Sequence, residues 1–118
     1  TDEPSGFYLN NFAAAGPWPV STTWSLPFKA DVLVVWSATC WGLAVGMCGV
    51  TLQLDGVTQS NWGDYYFNET GSHKPCMSSQ VIRGLAAGNH TWQVATNANS
   101  ASDANDRVRM AWTCVQVP

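Results

Sequence analysis

The sequence predicts an all-β domain built as an antiparallel β-sandwich, and three observations carry that prediction. Apolar and polar residues alternate with a period of two through much of the chain. No window of a dozen residues keeps apolar side chains at helical spacing. Gly, Asn, Asp and Pro punctuate the apolar runs. At 118 residues the chain has the length of one domain around one core.

Residues 1–19 are richer in Gly, Pro and Ala than the rest and read as an N-terminal arm or linker, with a short strand at Gly6–Asn10 and acidic Asp2 and Glu3 in the tail. Residues 20–118 then make up the domain. After a strand at Thr22–Phe28, the run ADVLVVWSATCW, Ala30–Trp41, is dense in β-branched and aromatic residues, the mark of a central strand. Met47–Leu54 alternates and stops at Asp55-Gly56, a dipeptide that supplies the positive φ angles of a tight turn. The Gly42–Gly46 connection is expected to join these two runs as a paired hairpin. Further strands fall at Asp64–Phe67, Ser78–Gly84, Asn89–Thr96 and Arg107–Val117. In the last, Val108, Met110, Trp112 and Cys114 share one face, while Arg107, Arg109, Ala111, Thr113 and Val115 share the other. Asn97–Asp106, NANSASDAND, is a polar loop at an edge of the sandwich.

Charged residues make up 11% of the chain, less than half the roughly 25% of an average domain. Such a surface needs another source of solubility or a partner to cover it. With a net charge of -3 and five cationic side chains, there is no basic footprint for nucleic acid. The longest apolar stretch, Val32 to Cys48, is broken by Ser37, Thr39 and glycines and falls short of the roughly 20 residues a membrane span requires. The sequence shows no basic-then-apolar leader, which reads as a removed leader or an excised fragment.

Cys40, Cys48, Cys76 and Cys114 lack the CxxC spacing of zinc sites, so disulfides and an extracellular or virion setting are the expectation. Cys40 and Cys48 flank the expected hairpin and are assigned to each other, which leaves Cys76 with Cys114.

Three phrases of the chain together carry a resemblance: GVTLQLDG at 49–56, FNETGSHK at 67–74 followed by VIRGLAAGNHTWQV at 81–94, and SDANDR at 102–107. They resemble the jelly-roll domains, similar to the complement and tumour-necrosis-factor fold, at the ends of bacteriophage tail proteins and bacterial collagen-like or surface proteins. The resemblance covers about residues 30 to 118 and implies a jelly-roll topology of about eight to ten strands. It also implies a homotrimer that binds a neighbouring structural protein or a host surface. Four cysteines and seven tryptophans depart from the usual pattern.

Trp62, Tyr65 and Tyr66, with Asn61 and Asp64, suggest an aromatic platform for a sugar, and hence the alternative of a secreted carbohydrate-binding module. Trp18 and Trp41 are further candidates for exposure, whereas Trp36, Trp92 and Trp112 read as core. Asp103, Asn105 and Asp106 offer three oxygens within four residues, a density that suits calcium as a possible cofactor but also an ordinary polar turn. His73 sits beside Ser72 as a conceivable general base, without the Gly-x-Ser-x-Gly elbow that would support it. The acidic residues do not assemble into a catalytic pair, and a non-enzymatic role is expected. Asn68 and Asn89 match the glycosylation pattern at a frequency that chance provides in so Asn- and Thr-rich a chain.

Overall fold

The structure is a computed structural model that describes residues 6–118. Its strands are β1 (Phe7–Ala15), β2 (Val20–Leu26), β3 (Ala30–Gly42), β4 (Gly46–Leu54), β5 (Val57–Thr58), β6 (Asp64–Phe67), β7 (Lys74–Leu85), β8 (Gly88–Thr96), β9 (Ser100–Ala101) and β10 (Arg107–Gln116). There is no helix among the described residues, hence none long and apolar enough to cross a membrane. One antiparallel sheet runs β1-β10-β3-β7 with β9 attached to β3, and the other runs β2-β8-β4-β5 with β6 attached to β4. The long strands β1 to β4 pass alternately between the sheets, and the chain returns to lay β8 beside β2 and β10 beside β1. That wrap is a jelly roll.

Two expectations need correction on this topology. Residues 7–15, read as part of an arm, are an edge strand whose nine residues pair with β10 from Phe7↔Val115 to Ala15↔Arg107. Asp2 and Glu3 lie outside the described residues. β3 and β4 are not a paired hairpin, because Gly42–Gly46 carries the chain from one sheet to the other. Both strands bury every second side chain against the common core, and facing one another across the sandwich satisfies that demand better than lying side by side. The turn at Asp55-Gly56 is as expected: both residues have positive φ, and Leu54 pairs with Val57 across it.

The tryptophans dominate the core. Trp24 of β2 and Trp92 of β8 lie in one sheet, Trp112 of β10 in the other, with ring centroids 6.3 Å (Trp24–Trp92), 5.3 Å (Trp24–Trp112) and 5.9 Å (Trp92–Trp112) apart. Trp18, expected as a candidate for exposure, is buried, and its indole N–H donates to the Thr39 carbonyl at 2.8 Å. Trp36 is buried and donates to Ser78 Oγ at 2.8 Å.

Backbones cross closely where β4 meets the loop before β6. Gly49 has φ +139°, and a Cβ there would sit 1.9 Å from the Gly63 carbonyl oxygen. Gly49→Ala is therefore expected to destabilise the domain by about 2 kcal/mol or more, through strain and backbone overlap together. Trp112→Ala is expected to cost about 3–5 kcal/mol by opening the centre of the core. Urea denaturation of both variants checks these values, and a Trp112→Ala midpoint equal to wild type would contradict the central role of the cluster.

Candidate functional site

The outer face of the β1-β10-β3-β7 sheet is unlike a solvated surface. Strand alternation and register place three rows side by side: Leu9, Thr113, Leu33 and Val81; Asn11, Ala111, Val35 and Ser79; Ala13, Arg109, Ser37 and Met77. Phe7 extends the face at one end and is 69% exposed, as Leu9 is 70%. Leu33, Val35, Met77 and Val81 are also exposed to solvent. Arg109 is the one charged side chain in the three rows. Val35, Ser37, Met77, Ser79, Arg109 and Ala111 line an open depression of about 490 Å³ in this face. Sequence reasoning missed the face because it expected only a short strand at Gly6–Asn10 within an arm, and no pairing of Phe7–Ala15 with β10. The signal was present in β3, where Val32 to Trp36 is apolar at consecutive positions and so has no polar side to give to water.

A second constellation lies at one end of the sandwich, around Asp106. This carboxylate is completely buried and fully engaged. Its Oδ1 accepts from Thr39 Oγ1 at 2.7 Å and faces His73 Nδ1 at 2.7 Å, and its Oδ2 accepts from the Asp103 backbone N–H at 2.8 Å. The Asp106 carbonyl accepts from Gly16 N–H at 2.9 Å. One side chain and its peptide thus clamp the β1–β2 connection, β3, the loop before β7 and the turn before β10. His73 Nε2 lies 3.7 Å from Asp103 Oδ2, and the Trp41 ring packs on the imidazole with centroids 4.9 Å apart. The Asp106 hydrogen bond holds the His73 pKa above the ordinary histidine value of 6.5, against the opposing pull of desolvation, and the Asp106 and Asp103 charges add to the rise.

The residues proposed for calcium are distributed differently from a cation cage. Asp106 spends its oxygens on protein donors, Asp103 Oδ1 accepts from the Asn105 backbone N–H at 2.8 Å, and the Asn105 side chain is at the surface. His73, Asp103 and Asp106 do bring three potential ligand atoms within 4.8 Å of one another. Asp106 meets protein donors through both oxygens, and Asn105 contributes no side-chain atom to this group. The His73 ring nitrogens face the carboxylates of Asp106 and Asp103.

The proposed aromatic platform is split. Trp62 is half-buried and packs against the core. Tyr65 and Tyr66 are consecutive in β6 and point to opposite sides, with Tyr66 67% exposed. The Tyr65 hydroxyl donates to the Met77 carbonyl on the other sheet. Asn61 and Asp64 line a hollow of about 160 Å³ beside Thr58 and Gln59. Trp41, the other candidate for exposure, is half-buried on His73.

The assigned disulfide partners also need correction. Cys40 and Cys48 lie on different sheets and meet different partners, Cys40 the Cys76 sulfur at 4.0 Å and Cys48 the Ala44 carbonyl and Asn99 amide. Cys114 pairs with Val32 on β3, while Cys76 pairs with Ala38, a separation of about 20 Å along the strand at 3.3 Å per residue. All four cysteines are buried free thiols.

No protein-family model matches the chain, and neither does any curated protein. Among solved structures it is similar to dimeric latent PorU from Porphyromonas gingivalis, at 8% identity and a TM-score of 0.53 over 97% of this chain and 13% of that one. A structure of infectious bursal disease virus Gx strain matches at 12% identity and a TM-score of 0.48, over 93% of this chain and 32% of that one. The CBM36-1 domain of a multidomain xylanase from the hindgut metagenome of Trinervitermes trinervoides matches at 16% identity and a TM-score of 0.39, over 99% and 92%. The chain thus spans a small part of the first two. The likeness to PorU shows the β-sandwich fold alone.

Asp106→Ala is expected to cost about 3 kcal/mol or more, because it orphans three donors and leaves His73 without its partner. The His73 contribution carries a definite sign in pH. A pKa raised in the folded state gives stability that is complete below the unfolded value of 6.5 and drains away as pH rises through the higher folded value. Thermal melts of wild type and His73→Gln should differ most at about pH 6 and converge by about pH 9. A gap that widens with rising pH would contradict this assignment.

Proposed function

We propose that this chain is a non-enzymatic structural or adhesion module that acts as a homotrimer. Its setting is a virion, as tail, fibre or capsid decoration, or a bacterial surface assembly, and it holds a neighbouring subunit or a host surface. The observation that carries this reading is the outer face of the β1-β10-β3-β7 sheet. Twelve side chains in its three rows include one charge, where ordinary composition supplies about three. Exposed Leu9, Leu33, Val35, Met77 and Val81 share that face, which is the kind of surface that obligate interfaces cover.

Three copies satisfy this face when each lays an edge of its sandwich against the open sheet of the next, a head-to-tail contact that closes after a threefold rotation. A rigid trimer then displays each of its remaining surfaces three times, and weak contacts to a repetitive target gain apparent affinity through avidity. The reading needs no catalytic group.

Light scattering coupled to size exclusion is expected to give three times the 12.8 kDa chain mass at micromolar concentration. Leu33→Lys combined with Val35→Glu, at the centre of the face, should yield monomers with an unchanged near-ultraviolet spectrum. A wild-type monomer overturns the proposal, and a dimer overturns its threefold form. A trimer that survives the double substitution removes this face from the interface.

A further inference from the structure

Three of the four cysteines gather at one end of the core. Cys40 of β3 and Cys76 of β7 are completely buried, and their sulfurs touch at 4.0 Å. Cys48, on the opposite sheet, has other partners: its thiol faces the Ala44 carbonyl at 3.5 Å and its sulfur accepts from Asn99 Nδ2 at 3.2 Å. Cys114 lies far along the sheet, opposite Val32.

We propose that Cys40 and Cys76 are a reversible dithiol–disulfide pair that locks the β7 edge onto β3. In the register Cys40 lies opposite Lys74 and Cys76 opposite Ala38, so the two are diagonal neighbours on the same inward face. Each sulfur needs to move by about 1 Å to arrive at bonding distance. A diagonal pair has its Cα atoms about 7–8 Å apart, beyond the usual span of a disulfide, so closure draws the start of the β7 edge strand toward β3 as well as rotating the side chains. The bond therefore forms under strain and is reduced more readily than a relaxed structural disulfide.

The environment orders the two sulfurs. The S–H shared with Cys76 and burial push the Cys40 thiol far up, while accepting that hydrogen bond brings Cys76 down. Cys76 also lies near the start of an edge strand, where local opening admits a reagent, which makes it the sulfur that is reached first. The oxidant is a small-molecule disulfide. The Cys76 thiolate attacks one of its sulfurs, a mixed disulfide forms and one thiolate leaves. Cys40 gives up its proton and attacks the Cys76 sulfur, the second thiolate leaves, and the two protons lost by the protein end on the two released thiols.

The test compares the full chain equilibrated with oxidised glutathione and with a phosphine reductant, each then alkylated in denaturant. Chymotryptic cleavage after Trp41, Trp62 and Trp112 separates the four cysteines onto different peptides for mass spectrometry. The expected product joins Cys40 to Cys76, with Cys48 and Cys114 alkylated, and melts on the order of 5–10 °C higher than the reduced form. A Cys48→Ser/Cys114→Ser variant should retain the redox-dependent shift, and a Cys40→Ala/Cys76→Ala variant should lose it. Four alkylated cysteines after oxidation, or a cross-link between any other pair, would overturn the proposal.

Discussion

The contact of Trp24, Trp92 and Trp112 across the two sheets is the constraint from which the rest of the architecture follows. Each indole buries roughly 150–250 Å², worth about 4–6 kcal/mol at ~25 cal/mol per Å² before conformational entropy is charged against it. Their three indole N–H groups are buried without a hydrogen-bonding partner among the described residues, at a cost of about 1–3 kcal/mol each. Apolar burial wins that comparison. The cluster also sets the spacing of the sandwich, since two of the rings belong to one sheet and the third to the other. Trp24 packs in turn on His90, whose ring nitrogens face the Asp55 carboxylate at 2.6 Å and the Ala86 carbonyl at 2.7 Å. The tight turn at Asp55-Gly56 is thereby fastened to the core through one histidine.

An apolar core of this kind holds strands but has no grip on the polar connections at its ends. The Asp106 clamp performs that work. It gathers the chain at Thr39, His73 and Asp103 with directional bonds to one buried carboxylate, where an apolar side chain would leave each of these unmet, and at Gly16 through its backbone carbonyl. This explains why the most polar segment of the chain, NANSASDAND, is tightly bonded rather than loose. Ser100 Oγ accepts from Gly49 N–H at 2.7 Å and donates to Asn97 Oδ1 at 2.9 Å, which pins the loop to β4 at the close backbone crossing.

How much of this was legible in the sequence depends on how local each determinant is. The alternation in Arg107–Val117 and the positive-φ dipeptide Asp55-Gly56 act within a few residues, and the structure bears both out. The pairing of β1 with β10 joins residues about a hundred positions apart, and nothing within Phe7–Ala15 announces its partner. The Gly42–Gly46 connection looked like a hairpin because its flanking strands are adjacent in sequence and both apolar, but the inward faces of β3 and β4 are satisfied only across the sandwich. The aromatic cluster at 62–66 misled for a related reason. Consecutive tyrosines in a strand cannot share a face, and Trp62 met an apolar neighbour before it met solvent. Asp106 and His73, 33 positions apart, carry no spacing signal for their contact.

The outer faces of the two sheets are built from different side chains, and that asymmetry has physical content. Strand β10 presents Arg107 and Arg109 outward but then Ala111, Thr113 and Val115, while its neighbours β1 and β3 offer Leu9, Leu33 and Val35 at the matching positions. In contrast, the outward positions of β2 and β8 are Ser21, Thr23, Ser25, Asn89, Thr91 and Gln93, a hydrogen-bonding surface that includes the Thr23–Thr91 hydroxyl pair at 3.0 Å. The outer face of β2 and β8 meets water through hydroxyls and amides. The β1-β10-β3-β7 face instead places its charges at either end, the Asp31–Arg83 pair at one and Arg107 with Arg109 at the other, and leaves two uncharged rows between them, Leu9, Thr113, Leu33 and Val81, then Asn11, Ala111, Val35 and Ser79. The difference lies in the residues at alternate positions on strands whose inner faces are equally apolar.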